Sequence, residues 1–191
     1  MHKGRLEAFS DGVLAILITI MVLELRVPHG GATLASLAPL GATFLSYVLS
    51  FIYLGIYWSN HHHLFQATEK VSGAVLWANL HLLFWLSLFP FVTAWAGENG
   101  FASLPVAVYG FVLLMAGVAY YILTRALIGL HGKNSTLAKA VGKDVKGQIS
   151  VVIYIIGITL SFWNSLLGYS LYVAVAILWL VPDRRIEKFY K

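Results

Sequence analysis

Apolar residues run almost unbroken through four long stretches of the chain, 6–26, 40–65, 73–96 and 104–127. Short segments carrying Gly, Pro or charge part them: VPHGGATLASLAP, QATEKVSG and AGENGFASLP. Each stretch supplies the roughly 20 residues that a helix needs to cross a hydrocarbon core. A polar loop, LHGKNSTLAKAVGKDVK, precedes a last apolar stretch over 148–182. That stretch is too long for one crossing and tight for two. Asn164, Ser165 and Gly168 in WNSLLGYS supply a turn that divides it into helices over 148–164 and 167–182. The pattern predicts an all-α integral membrane protein with six transmembrane helices, residues 1–191 forming one domain. No internal repeat is visible.

Composition strengthens this reading. Only 11% of the residues are charged and 59% are hydrophobic, whereas a soluble domain carries about a quarter charged residues. So few charges cannot cover a water-facing surface. Six Trp, ten Tyr and eleven Phe suit the aromatic belts of bilayer interfaces. With no Cys, disulfides, thiolate metal sites and a Cys nucleophile are excluded.

The net charge of +5 follows topology and does not point to nucleic acid. Lys3 and Arg5, Lys70, the loop group Arg125, Lys133, Lys139, Lys143 and Lys146, and the final Arg184, Arg185, Lys188 and Lys191 fall at alternate ends of the spans. Basic loops stay in the cytoplasm. Basic groups flank 148–182 on both sides, so that segment crosses an even number of times. Twelve of the thirteen Lys and Arg residues then lie inside and Arg26 alone outside. Both termini are expected in the cytoplasm, with the protein in a cell membrane, a bacterial plasma membrane by its short chain without targeting peptides. The basic start resembles a signal peptide, but Glu7 and Asp11 interrupt it and ELRVP offers no small-residue cleavage site. It is read as the first span.

Turning the first helix by about 100° per residue from Ile16 gathers Gly12, Ile16, Thr19, Ile20 and Leu23 into one stripe. Asp11 falls near 220° from Ile16, outside the stripe, and Glu24 near 80°, at its flank and outer end. A carboxylate within the hydrocarbon region costs several kcal/mol unless it is partnered. Asp11 should therefore face other helices. Arg5, six residues back, lies on a well-separated side. The second span returns to the cytoplasmic leaflet as WSNHHH, Trp58 to His63, and the third begins there with Trp77, Asn79 and His81. A hydrogen-bonded belt around Asp11 is the economical reading.

His61, His62 and His63 splay by about 100° each and cannot chelate one ion together. The i, i+4 pair with an acidic helper that suits helical zinc is absent. Packing and hydrogen bonding, metal binding and proton transfer stay open as roles for these histidines. The apolar stripe likewise reads either as helix packing or as a lining.

RLEAFSDGVLAILITIMVLEL resembles the first segment of the endolysosomal potassium channel family, transmembrane protein 175, in its short bacterial form. Its signature is Arg, three residues, then Phe-Ser-Asp, here Arg5 through Phe9, Ser10 and Asp11. YWSNHHHLF and NLHLLFWLSLFPFVTAW resemble the second and third segments. The likeness is close over most of the first hundred residues and is one of topology afterwards.

That resemblance implies a homotetramer in the lipid bilayer, with the first helix of each chain lining a central pore. Counting from Phe-Ser-Asp, it puts the hydrophobic constriction on Ile16, with Ile20 and Leu23 as further apolar layers and Thr19 as the selectivity residue. Arg5, Phe9, Ser10, Asp11, Asn60, His61, His62, His63, Trp77, Asn79 and His81 form the expected structural network. Glu24 sits at the expected outer mouth, where its carboxylate gathers cations and Arg26 partly neutralises it. The family has no Thr-Val-Gly-Tyr-Gly filter, and LGYS at 167–170 is no match to one. The expected function is passive, potassium-favouring conduction of monovalent cations, gated by dewetting, with no catalysis, cofactor, bound metal or nucleic acid. A secondary transporter and a structural membrane protein without conductance are the alternatives. Coupled transport would favour repeats and midplane charges, which the sequence lacks. A membrane enzyme would need more carboxylates than Asp11 near the histidines.

Overall fold

The computed structural model describes residues 2–29, 32–132, 134–142 and 144–180. The end of the last expected span at 181–182, together with Lys133, Lys143, Arg184, Arg185, Lys188 and Lys191, lies outside the described residues.

The described residues form eight α-helices: α1 Lys3–Met21, α2 Gly41–Gln66, α3 Gly73–Ser87, α4 Phe89–Glu98, α5 Ser103–His131, α6 Thr136–Val141, α7 Val145–Ser161 and α8 Ser165–Leu180. A 3-10 turn at Val22–Glu24 extends α1, and another at Leu34–Leu40 leads into α2. Four apolar units are long enough to cross a membrane: Lys3–Glu24, Leu34–Gln66, Gly73–Glu98 and Ser103–His131. The apolar helices α7 and α8 are shorter, 17 and 16 residues. At about 1.5 Å per residue, α7 spans about 26 Å.

Two sequence-based boundaries differ. The third expected span is two helices meeting at Leu88. Pro90 is the cause, since it has no N–H to give the carbonyl four residues back and suits only a helix's first turn. The turn in the last stretch occupies residues 162–164. Asn164 Oδ1 accepts from the amides of Leu166 and Leu167 at 3.1 and 3.2 Å, capping α8. Gly168, expected in that turn, lies inside α8, where its role is close packing. A Cβ there would stand 2.6 Å from the Gly157 carbonyl of α7. Small residues draw helices together in lipid, where no hydrophobic effect does so.

Helix α5 is the hub, packing against α3, α4, α7 and α8, while α1 packs on α2, α3 and α4. Polar groups reinforce the apolar core. Ser50 Oγ lies 2.6 Å from Thr93 Oγ1 and 2.7 Å from the Tyr109 hydroxyl, tying α2, α4 and α5 together. Ser46 donates to the Thr93 carbonyl at 2.9 Å. Gly97 allows this approach: a Cβ there would meet Thr43 Cα at 2.6 Å. Between α4 and α5 the chain turns through Gly100 and Phe101, both at positive φ. The Phe101 ring packs tilted against that of Tyr169, centroids 4.5 Å apart, and this buried contact holds a backbone conformation that bulky residues rarely adopt.

On the cytoplasmic side of the expected topology, His131 closes α5 over the α2–α3 loop. Its Nε2 accepts from the amides of Glu69 and Lys70 at 3.1 and 3.2 Å. Its Nδ1–H consequently donates to the Leu127 carbonyl at 2.9 Å.

Candidate functional site

Helix α1 has two unlike faces. Leu6, Ser10, Leu14, Leu17 and Met21 are buried. On the opposite side Gly12, Ile16, Thr19 and Ile20 are exposed, Ile16 by 60% and Ile20 by 39%. A Cβ on Gly12 would meet nothing within 4 Å. Burying the first set against α2, α3 and α4 leaves the second unpartnered among the described residues, as a 3.6-residue period over 19 residues requires.

Leu23 is 74% exposed but sits beyond the α-helical wheel, in the 3-10 turn. There each residue turns by about 120°, so the angle extrapolated for Leu23 does not hold. Glu24 is half-buried in the same turn. Arg26, expected to temper Glu24, pairs instead with Glu98 on α4 at 3.8 Å.

The Thr19 hydroxyl donates back along its own helix, lying 2.9 Å from the Ile16 carbonyl and 3.1 Å from that of Ala15. Its proton is committed inward, so its oxygen lone pairs face out beside Ile16 and Ile20.

The buried face carries a directed hydrogen-bond chain. Ser10 Oγ donates to the Leu6 carbonyl at 2.8 Å and accepts from Asn79 Nδ2 at 2.9 Å. Asn79 Oδ1 accepts from His61 Nε2 at 2.8 Å. The amide's fixed polarity therefore assigns the proton to Nε2 of His61. All three residues are buried, and the chain joins α1, α3 and α2. Beside it, Trp58 Nε1 donates to Asp11 Oδ1 at 3.1 Å. The Trp58 ring stacks on His62 at 6.3 Å. Lys3 completes the base of α1, donating to the Thr68 carbonyl at 3.1 Å and lying 4.0 Å from Glu7.

Other expected members of the network go elsewhere. His62 bonds Gln66 at 2.7 Å, and His81 accepts from Trp85 Nε1 at 3.0 Å. Asn60 contributes its carbonyl, which accepts from the Tyr120 hydroxyl at 3.1 Å. Nδ1 of His63 is buried without a hydrogen-bond partner among the described residues. Phe9 and Trp77 are exposed, as is Arg5. These three belong to outward faces, which a single chain cannot join to the Ser10–Asn79–His61 chain. Among the described residues no group of three or more His, Asp or Glu side chains could hold a metal ion.

Sequence reading missed the Trp85 and Gln66 partners, although each lies four residues after its histidine, the spacing that brings helical side chains together. It also missed the Ser50–Thr93–Tyr109 knot, for which the sequence carries no local signal.

The family model described as endosomal/lysosomal potassium channel TMEM175 matches residues 5–90. A potassium channel of Chryseobacterium sp. (strain P1-3) is 56% identical over 191 residues, covering 100% of this chain and 99% of that one. The human endosomal/lysosomal proton channel TMEM175 is 37% identical over 86 residues, 39% of this chain and 17% of the human one. The crystal structure of a lysosomal potassium-selective channel TMEM175 homolog from Chamaesiphon minutus superposes with a TM-score of 0.81 at 29% identity. That match covers 94% of this chain and 96% of that one.

Proposed function

The chain belongs to the TMEM175 potassium channel family, and on that premise we propose that it is a potassium-favouring cation channel rather than an enzyme. It is a multi-pass membrane protein. Four copies assemble around an axis, each contributing α1, with six crossings per chain and both termini in the cytoplasm of a bacterial plasma membrane. Conduction is passive and needs no cofactor.

One observation carries this reading: the Gly12, Ile16, Thr19 and Ile20 face of α1 is exposed while its opposite face is locked into the fold. Four such faces enclose a narrow apolar passage. Ile16 makes the constriction, where a dry ring blocks a hydrated cation until the helices part or rotate. Thr19, one turn further out, presents an oxygen to a partly dehydrated ion. Ile20 and Leu23 add apolar layers, and Glu24 raises the cation concentration at the outer mouth. The Ser10–Asn79–His61 chain and the Trp58–Asp11 bond hold α1 in this orientation.

Potassium and sodium flux from liposomes containing the purified protein tests the proposal, with Ile16→Ala alongside the wild type. Potassium-favouring flux that rises several-fold on trimming Ile16 is the expected result. No flux from either protein, each shown to be folded and oligomeric, overturns it. Flux that saturates and requires a gradient of a second ion would make the protein a transporter.

A further inference from the structure

A cavity of ≈ 340 Å³ lies among α2, α5, α7 and α8, away from the exposed face of α1. Its volume falls in the range of small-molecule sites. Aromatic rings dominate its walls: Tyr57 of α2, Tyr120 and Tyr121 of α5, Tyr154 of α7 and Trp179 of α8. Among the described residues that line it, the one charge is the carboxylate of Asp144, and no Lys or Arg takes part.

Asp144 stands at the end of the cavity where the polar loop enters α7. Its Oδ1 accepts from the Gly147 amide at 2.9 Å, capping that helix. The carboxylate is half-buried and fixed by this bond. Several wall groups already have partners: Trp179 donates to Ser150 Oγ at 2.9 Å, Tyr154 to the Tyr53 hydroxyl at 3.3 Å, and Tyr120 to the Asn60 carbonyl. What remains for a ligand is ring surface, apolar wall, the side-chain amides of Asn60 and Gln148, and the one negative charge of Asp144.

We propose that this cavity is a binding site for an amphiphilic organic cation. Its ammonium group would lie by Asp144 and the ring faces, and its apolar body between α2, α5 and α7. Aromatic faces carry negative quadrupole potential and attract ammonium groups, more strongly where water is excluded. The rim displays this chemistry internally: the Arg125 guanidinium lies 5.9 Å from the centroid of the Tyr121 ring. An anion would meet Asp144 with no cation among the described lining residues to offset it. A neutral acyl chain would use the apolar walls and gain nothing from the carboxylate.

The test is calorimetric titration of the full chain in lipid nanodiscs with benzyltrimethylammonium. Asp144→Asn removes the charge and keeps the cap, because Asn caps as well as Asp. Gly117→Leu fills the cavity from α5. A Cβ at Gly117 meets only the Tyr57 hydroxyl, at 3.9 Å, and Leu favours the helix over Gly. The expected result is one site per chain, binding at least tenfold weaker in Asp144→Asn and none in Gly117→Leu. Binding unchanged in Asp144→Asn, with loss in Gly117→Leu, overturns cation recognition and leaves an apolar void. Binding indifferent to both, at fewer than one per chain, places the cation elsewhere and overturns the site. Should Gly117→Leu fail to assemble, Tyr121→Leu at the exposed rim replaces it, with weakened binding expected and unchanged binding overturning the site.

Discussion

The indole of Trp58 on α2 donates to the carboxylate of Asp11 on α1 at 3.1 Å. Asp11 therefore has a partner from another helix, although it lies within the first apolar run of the chain. The bond fixes the rotation of α1 about its own axis, because Asp11 lies between the buried face and the Ile16 face. On the proposed reading, that rotation decides what the pore sees.

Trp58→Phe keeps an aromatic ring beside His62 and deletes the donor. Both partners are exposed in the chain, so the loss is expected to fall below the range for a buried charged hydrogen bond, at about 1 kcal/mol or less. A double-mutant cycle with Asp11→Asn, read by denaturant unfolding in detergent, should give a coupling energy of that size. Additive effects would mean that the 3.1 Å contact contributes nothing.

The Ser10–Asn79–His61 chain is buried and should be costlier to break from its centre. Asn79→Ala orphans His61 Nε2–H and takes from Ser10 Oγ the donor it accepts from, while Ser10 keeps its bond to the Leu6 carbonyl; the unsatisfied His61 group alone costs roughly 1–3 kcal/mol. Ser10→Ala orphans only the Asn79 amide N–H. Asn79→Ala is expected to lower the midpoint of unfolding clearly more than Ser10→Ala. Equal effects would show that the two bonds are not linked through one residue.

Gly168→Ala tests the α7–α8 contact. Its new methyl would meet the Gly157 carbonyl at 2.6 Å and Ser161 Cα at 3.1 Å. Backbone cannot yield as a side-chain end can, so a cost of about 1–3 kcal/mol is expected. Gly129→Ala is the control. It lies exposed in α5 with nothing within 4 Å of a Cβ, and should stabilise by about 0.5–1 kcal/mol through helix propensity. Thermal unfolding of both variants, read by circular dichroism, gives the comparison.

Much of the fold was legible because period and charge are local signals. A 3.6-residue alternation separates the buried Leu6, Leu14 and Leu17 from the exposed Ile16 and Ile20 without reference to any other helix. The depth of WSNHHH and Asn79 relative to Asp11 follows from counting spans. Azimuth does not: depth placed four histidines near Asp11, yet packing selects His61 for Asn79 and turns His81 to Trp85. The break at Leu88 had a visible cause in Pro90, which a continuous apolar run concealed. The 3-10 turn at Val22–Glu24 had none, since Val, Leu and Glu all enter α-helices readily. The aromatic cavity and the Ser50–Thr93–Tyr109 knot depend on which helices become neighbours, and no window of the sequence encodes that.

On the proposed reading, Thr19 separates the two jobs of the exposed face. Its hydroxyl proton is spent on the Ile16 and Ala15 carbonyls, so what it offers outward is an oxygen. Thr19→Val keeps the shape and removes that oxygen. Because the site is exposed in the chain, stability should change by less than about 0.5 kcal/mol. The ratio of potassium to sodium flux in liposomes should fall several-fold, with total cation flux held near the wild-type level by an intact Ile16 ring. Ile16→Ala should do the reverse, raising total flux with a smaller effect on the ratio. If Thr19→Val leaves the ratio unchanged, discrimination does not reside in the hydroxyl. The apolar layers at Ile16 and Ile20 would then have to supply it through the cost of stripping water from each ion.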